Sequence, residues 1–129
     1  LKQEVKFGEK TRFDFLIKRK KRKSFIEVKN VTLSRRSGVA EFPDAITSRG
    51  LKHIKELLKA HKKGFKIYIL FVIQRNDCNK LEFANDIDPD YCKMLKKAVK
   101  KKLNILCFDC KFSTKGIKLN RKIKFKINE

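Results

Sequence analysis

Residues 24–33 read SFIEVKNVTL. β-Branched and apolar residues dominate, and turn or charged residues flank them, which predicts a β-strand. Strand side chains alternate between faces, so Glu27 and Lys29 point the same way, two residues apart. The preceding segment, TRFDFLIK (11–18), also alternates, with Phe13, Phe15 and Ile17 on one face and Arg12, Asp14 and Leu16 on the other. Between the two lies the basic run RKKRK (19–23), which predicts a hairpin tip. Asp14 and Glu27 are equidistant from the centre of that tip. Antiparallel pairing therefore puts the two carboxylates on neighbouring strands near the same level.

Working outward, residues 3–7 (QEVKF) predict a short strand that completes an antiparallel meander with the other two. SRRSG and FPDA predict a loop after Leu33. Thr47 or Ser48 caps a helix whose apolar face is Leu51, Ile54, Leu57 and Leu58, and Gly64 ends it. KIYILFVIQ (66–74) is apolar on both faces, as expected of a central strand covered on two sides. Asp88-Pro89 gives an N-cap acid followed by Pro at the first helical position, with that helix running to about Lys102. NILCFDCKF then predicts a strand, and the tail GIKLNRKIKFKI an edge strand. The expected class is α/β, in the sense of an α+β mixed sheet. The order is β-β-β-α-β-α-β, with the helices packed on a mixed central sheet.

The chain has 129 residues, which predicts one domain, 1–129, with enough length for a real core. With 41% hydrophobic residues and 11 Phe it is too apolar for a disordered chain. Its longest apolar run, residues 67–73, is strand-sized, far short of the ~20 residues that span a bilayer. The chain begins at Leu1 without a Met or a signal-peptide pattern, which suggests a piece of a longer protein.

The formal net charge is +21, from 35 Lys and Arg against 14 Asp and Glu. An AT-rich genome accounts for Lys over Arg, but not for the missing acids. Uncompensated charge of this size attracts polyanions, and nucleic acid is the expected partner. The lysines occupy every element rather than one amphipathic helix, which argues against a membrane surface. The four cysteines give no metal pattern. Cys107 and Cys110 form a C-x-x-C inside a strand, where residues three apart face opposite sides. Free thiols are expected, and these suit a reducing cytoplasm.

Two carboxylates a few ångström apart repel unless a cation sits between them. Mg²⁺ or Mn²⁺ is a hard ion suited to one or two carboxylates, waters and substrate phosphate oxygens. Lys29 beside such an ion can orient a water or stabilise a phosphorane-like transition state. The competing reading is a cross-strand salt-bridge cluster on an open face. Arg49 and His53, four apart on one side of the first helix, face either the cleft or a DNA phosphate, or else satisfy the loop FPDAIT. Asp44 and Thr47 are expected to brace that loop and cap the helix. Arg35 and Arg36 are candidate phosphate contacts on a loop that is equally readable as solvated.

Asp14 followed by Glu27-x-Lys29 on adjacent strands resembles the PD-(D/E)XK nuclease superfamily. The strings VKFGEKTRFDFLI, FIEVKNVTL, AEFPDAITSRGLKHIKEL, ILFVIQRND and FANDIDPDY, in this order, resemble the sugar fermentation stimulation protein A family. The resemblance runs from about residue 4 to residue 110. It implies DNA binding, a nuclease-like fold and a metal-dependent site. It also implies that an N-terminal OB-like domain of the family is absent from this chain. Carried over by position, Asp14, Glu27 and Lys29 are the catalytic residues. Asp14, Glu27, the main-chain carbonyl of Val28 and Glu4 are the metal ligands. Phe13 stands where the superfamily has Pro. The Pro43-Asp44 pair follows the Glu-x-Lys strand and is not the motif's acid. Two further classes stay open. One is a non-catalytic DNA-binding regulator of sugar (maltose) genes, and the other is an RNA-binding accessory domain.

Overall fold

The computed structural model describes the backbone of residues 2–7, 11–19, 22–114 and 116–127, and the side chains of residues 15–18, 22–114 and 116–127. Ten strands and two helices follow in the order β1 (Lys2–Phe7), β2 (Thr11–Arg19), β3 (Arg22–Val31), β4 (Leu33–Arg36), β5 (Gly38–Phe42), α1 (Ser48–Lys62), β6 (Lys66–Ile73), β7 (Cys78–Phe83), α2 (Pro89–Lys100), β8 (Asn104–Ser113), β9 (Gly116–Lys122) and β10 (Lys124–Lys126). The main sheet runs β1-β2-β3-β6-β8-β9. Its first three strands are the antiparallel meander, β3, β6 and β8 are parallel, and β9 returns antiparallel. The expected β-β-β-α-β-α-β core is therefore present in a mixed sheet.

A second sheet, β10-β7-β5-β4, joins that core. Its strands were not legible as such. SRRSG forms the end of β4 and the turn into β5, at Gly38 with φ +79°. The expected tail strand divides into β9, in the main sheet, and β10, paired with β7. The division falls at Ile123, which is buried and whose N–H donates to the Cys107 carbonyl at 2.9 Å. Asp109, only 1% exposed, accepts from the Arg121 backbone N–H at 2.6 Å and from Nε at 2.8 Å. Arg121 also donates to the Cys78 carbonyl, so one buried carboxylate links β8, β9 and β7.

Both helices start as their capping residues dictate. Thr47 Oγ1 accepts from Gly50 N–H at 2.9 Å, satisfying one of the orphan donors of the first turn. Asp88 Oδ1 accepts from Tyr91 N–H at 3.1 Å, with Pro89 at the first helical position. Gly64, at φ +97°, follows α1 and turns the chain into β6. α2 ends at Lys100, two residues before the expected end, and Lys102 takes a left-handed φ of +85°.

The core lies between the main sheet and the helices. On β6, Ile67, Ile69, Phe71 and Ile73 are fully buried. Tyr68, Leu70 and Val72 are only half-buried, so β6 is closed by helices on one face and partly covered on the other. The β3–β6 register pairs Phe25 with Ile67, Glu27 with Ile69, Lys29 with Phe71 and Val31 with Ile73. Glu27 and Lys29 therefore belong to the buried, helix-covered face, between two apolar neighbours on their own strand.

Candidate active site

The β2–β3 register runs from Arg19↔Arg22 to Phe15↔Ile26. Asp14 precedes Phe15, one residue beyond the last pair of this ladder. The side chains of Asp14 and Glu4 lie outside the described residues. Glu27 is only 4% exposed. Its Oε1 lies 3.1 Å from His53 Nδ1 and 3.6 Å from Lys29 Nζ. Lys29 Nζ is also 3.0 Å from His53 Nδ1. A helix residue thus closes over the acid and base of β3.

These distances cannot all be hydrogen bonds in one protonation state. Lys29 can donate to Nδ1 only when that nitrogen is unprotonated, whereas Nδ1 can donate to Glu27 only when it carries the proton. His53 therefore mediates between the two β3 side chains, favouring one pairing or the other. Glu27 Oε2 is buried and has no hydrogen-bond partner among the described residues. A buried carboxylate oxygen left in this state costs free energy until something occupies it. A hard cation is the chemistry that suits a bare carboxylate oxygen, so the donor set fits a divalent metal. Among the described residues no group of three or more His, Cys, Asp or Glu converges. Val28 is half-buried on the opposite face, as alternation requires.

α1 is held over β3 by a contact that the sequence did not suggest. Asp88 caps α2, but its second oxygen accepts from Thr47 N–H at 2.8 Å. One buried carboxylate thereby clamps the N-termini of both helices. Tyr91, fully buried, packs under Gly50 and against Phe42, with ring centroids 5.5 Å apart. Its hydroxyl also has no partner among the described residues. Burial pushes this phenol above its ordinary range, with the Cys92, Glu27 and Asp88 charges adding to the shift. It therefore stays protonated and can act only as a neutral group.

The other candidates are dispersed. Arg49 and Asp44 are exposed, and Thr47 caps α1. Arg35 donates to Glu41 at 2.7 and 2.9 Å and to Asp86 at 2.7 and 2.9 Å, and Arg36 donates to Glu82 at 2.7 Å. Hydrogen bonds from Arg35 hold the Glu41 and Asp86 carboxyls below their usual range. Arg35 is engaged through Nε, Nη1 and Nη2, whereas Arg36, bonded through Nη2 alone and exposed, keeps donors for a phosphate. All four cysteines are free, and burial pushes the Cys107 thiol up to about 12, which keeps it protonated at neutral pH. No helix among the described residues is long and apolar enough to cross a membrane.

A family profile described as the sugar fermentation stimulation protein RE domain matches residues 1–116. The chain belongs to this family. A sugar fermentation stimulation protein homolog of Pelagibacter ubique is 48% identical over 124 residues, covering 96% of this chain and 53% of the relative. The homolog of Bdellovibrio bacteriovorus is 40% identical over 125 residues, covering 95% and 51%. The structure of Pyrococcus furiosus SfsA in complex with Ca²⁺ superposes with a TM-score of 0.87 at 29% identity, over 98% of this chain and 55% of that one. The chain thus spans about half the length of the relatives it matches.

Proposed function

We propose that this chain is the nuclease-like part of a sugar fermentation stimulation protein, a divalent-metal-dependent phosphodiesterase acting on DNA. The observation that carries the reading is Glu27 Oε2, a buried carboxylate oxygen with no partner among the described residues, beside a lysine and a histidine that engage only Oε1. The Ca²⁺ complex of the Pyrococcus furiosus relative supports a divalent ion in this family. Glu27 and Asp14 would hold the ion, with the Val28 carbonyl and Glu4 as further ligands. A bound Mg²⁺ or Mn²⁺ would supply Lewis-acid polarisation of a phosphoryl oxygen and a more acidic water.

The chain's own groups do the rest. Lys29 presents an ammonium within reach of a non-bridging phosphate oxygen, where charge develops in the transition state. His53 fixes the Lys29 ammonium from above and limits how far it can swing. The buried setting of Glu27 keeps water away from its ion pairs and so strengthens them. The net charge of +21 draws the phosphodiester backbone to the surface without reading sequence.

The test is cleavage of supercoiled, linear and single-stranded DNA with Mg²⁺, with Mn²⁺ and with EDTA, by the wild type and by Lys29→Ala. Metal-dependent cleavage by the wild type, lost in Lys29→Ala with DNA binding retained, is the expected result. DNA binding without cleavage under any metal would assign the chain to the non-catalytic regulator class. Preference for RNA would assign it to the RNA-binding class.

A further inference from the structure

The C-terminal halves of α1 and α2 enclose a groove of about 600 Å³ that contains none of Glu27, Lys29 or His53. Among the described residues seven lysines line it, and no acid does. On α1, Lys55, Lys59 and Lys62 fall at helical spacing along one wall. Lys97 and Lys101 stand on the α2 wall, and Leu58 and Met94, both half-buried, form the floor. Lysines in the last turns suit the negative ends of the helix dipoles. Lys59 and Lys62 are in that last turn of α1, whereas Lys55 lies further back, where that explanation does not reach. Lys59 has one partner, Glu56, at 3.3 Å on the exposed surface.

We infer that this groove docks an acidic amphipathic segment of a partner protein, with an apolar side chain on Leu58 and Met94 and carboxylates on the lysine rim. Charge complementarity selects an anionic partner. The floor selects among anions. Leu and the pliable Met thioether suit an aliphatic or aromatic anchor, as in helix-in-groove recognition. A nucleic-acid strand would meet these lysines through its phosphates alone, because base stacking needs an aromatic platform and the lining holds none apart from His61. The lining cations are lysine point charges, without the arginine forks that suit bidentate phosphate recognition.

The test is fluorescence anisotropy of this chain with a labelled short helical peptide of Asp, Glu and two Leu, against the same peptide with Leu replaced by Ser. A single-stranded oligonucleotide forms a third arm. The Leu peptide should bind roughly tenfold or more tightly than the Ser peptide. Lys59→Glu combined with Lys97→Glu should weaken the Leu peptide at least about tenfold while leaving the melting temperature near wild type. Met94→Gln, which removes apolar floor without changing charge, should weaken the Leu peptide alone. Equal binding of the Leu and Ser peptides would overturn the inference. So would an oligonucleotide that loses more affinity than the peptide in the double lysine variant, since the groove would then belong to nucleic acid.

Discussion

Gly50→Ala should destabilise the protein, although alanine is the better helix former. In an open helix the exchange would gain up to about 1 kcal/mol. Here a Cβ would lie 2.9 Å from both Cγ2 and Oγ1 of Thr47 and 3.0 Å from Cε2 of Tyr91. Thr47 can rotate away only by giving up the cap bond that its Oγ1 accepts from Gly50 N–H, which costs about 1 kcal/mol. Tyr91 is fully buried against Phe42 and has nowhere to go, so overpacking adds about 1–3 kcal/mol. The net loss is about 1–3 kcal/mol, or about 4 to 12 °C in melting temperature at ~4 °C per kcal/mol. Urea unfolding, with the m-value unchanged, measures it. His53 lies three residues further along α1, so the same strain should also loosen its contact with Glu27. A variant as stable as wild type, or more so, would refute the claim that α1 closes on Tyr91 through the missing side chain.

Asp88→Ala should cost about 2–4 kcal/mol by chemical denaturation, because it removes one cap and one charge-assisted bond to the other helix; Asp88→Asn should recover part of this. The Arg35 bridge lowers the pKa of Glu41 and Asp86, so its stabilisation is full above the ordinary carboxylate range and lost as pH falls through the depressed folded values. The melting-temperature gap between wild type and Arg35→Gln should therefore be widest near neutrality and vanish under strong acid; a constant gap would contradict the bridge. DNA affinity should fall steeply with salt, with a log–log slope of roughly 0.9 per neutralised phosphate; a flat response would remove phosphate attraction as the driving force.

The meander, both helices and the parallel strands were legible because each carries its signal locally. Asp88-Pro89, Thr47 and Gly64 mark helix ends by backbone chemistry alone. β4 was not legible, because LSRR has no buried apolar face and is held by ion pairs to Glu41, Asp86 and Glu82, residues that come later in the chain. The expectation that Asp14 stands opposite Glu27 came from the symmetry of the basic tip, and the β2–β3 ladder stops one pair short of it, at Phe15↔Ile26. The contact of His53 with Glu27 and Lys29 was not legible. Helical spacing put His53 on the side of Arg49, but only the packing of α1 on β3, fixed by the second oxygen of Asp88, brings the imidazole onto the carboxylate. The Tyr91 hydroxyl, without a partner among the described residues, has no sequence signal at all.

Calorimetric titration of Mn²⁺ into the wild type and Glu27→Gln tests the central claim most directly, since it reads the ligand role of Glu27 without relying on activity. The substitution keeps the shape of the side chain and leaves one oxygen, but removes the negative charge that a hard cation requires. The wild type should bind Mn²⁺, and Glu27→Gln should bind it at least about tenfold more weakly while holding DNA as well as before, because the net charge then rises by one. Equal Mn²⁺ affinity in the two proteins would mean that Glu27 is no metal ligand, and that the acid and base of β3 are an ordinary salt-bridged pair.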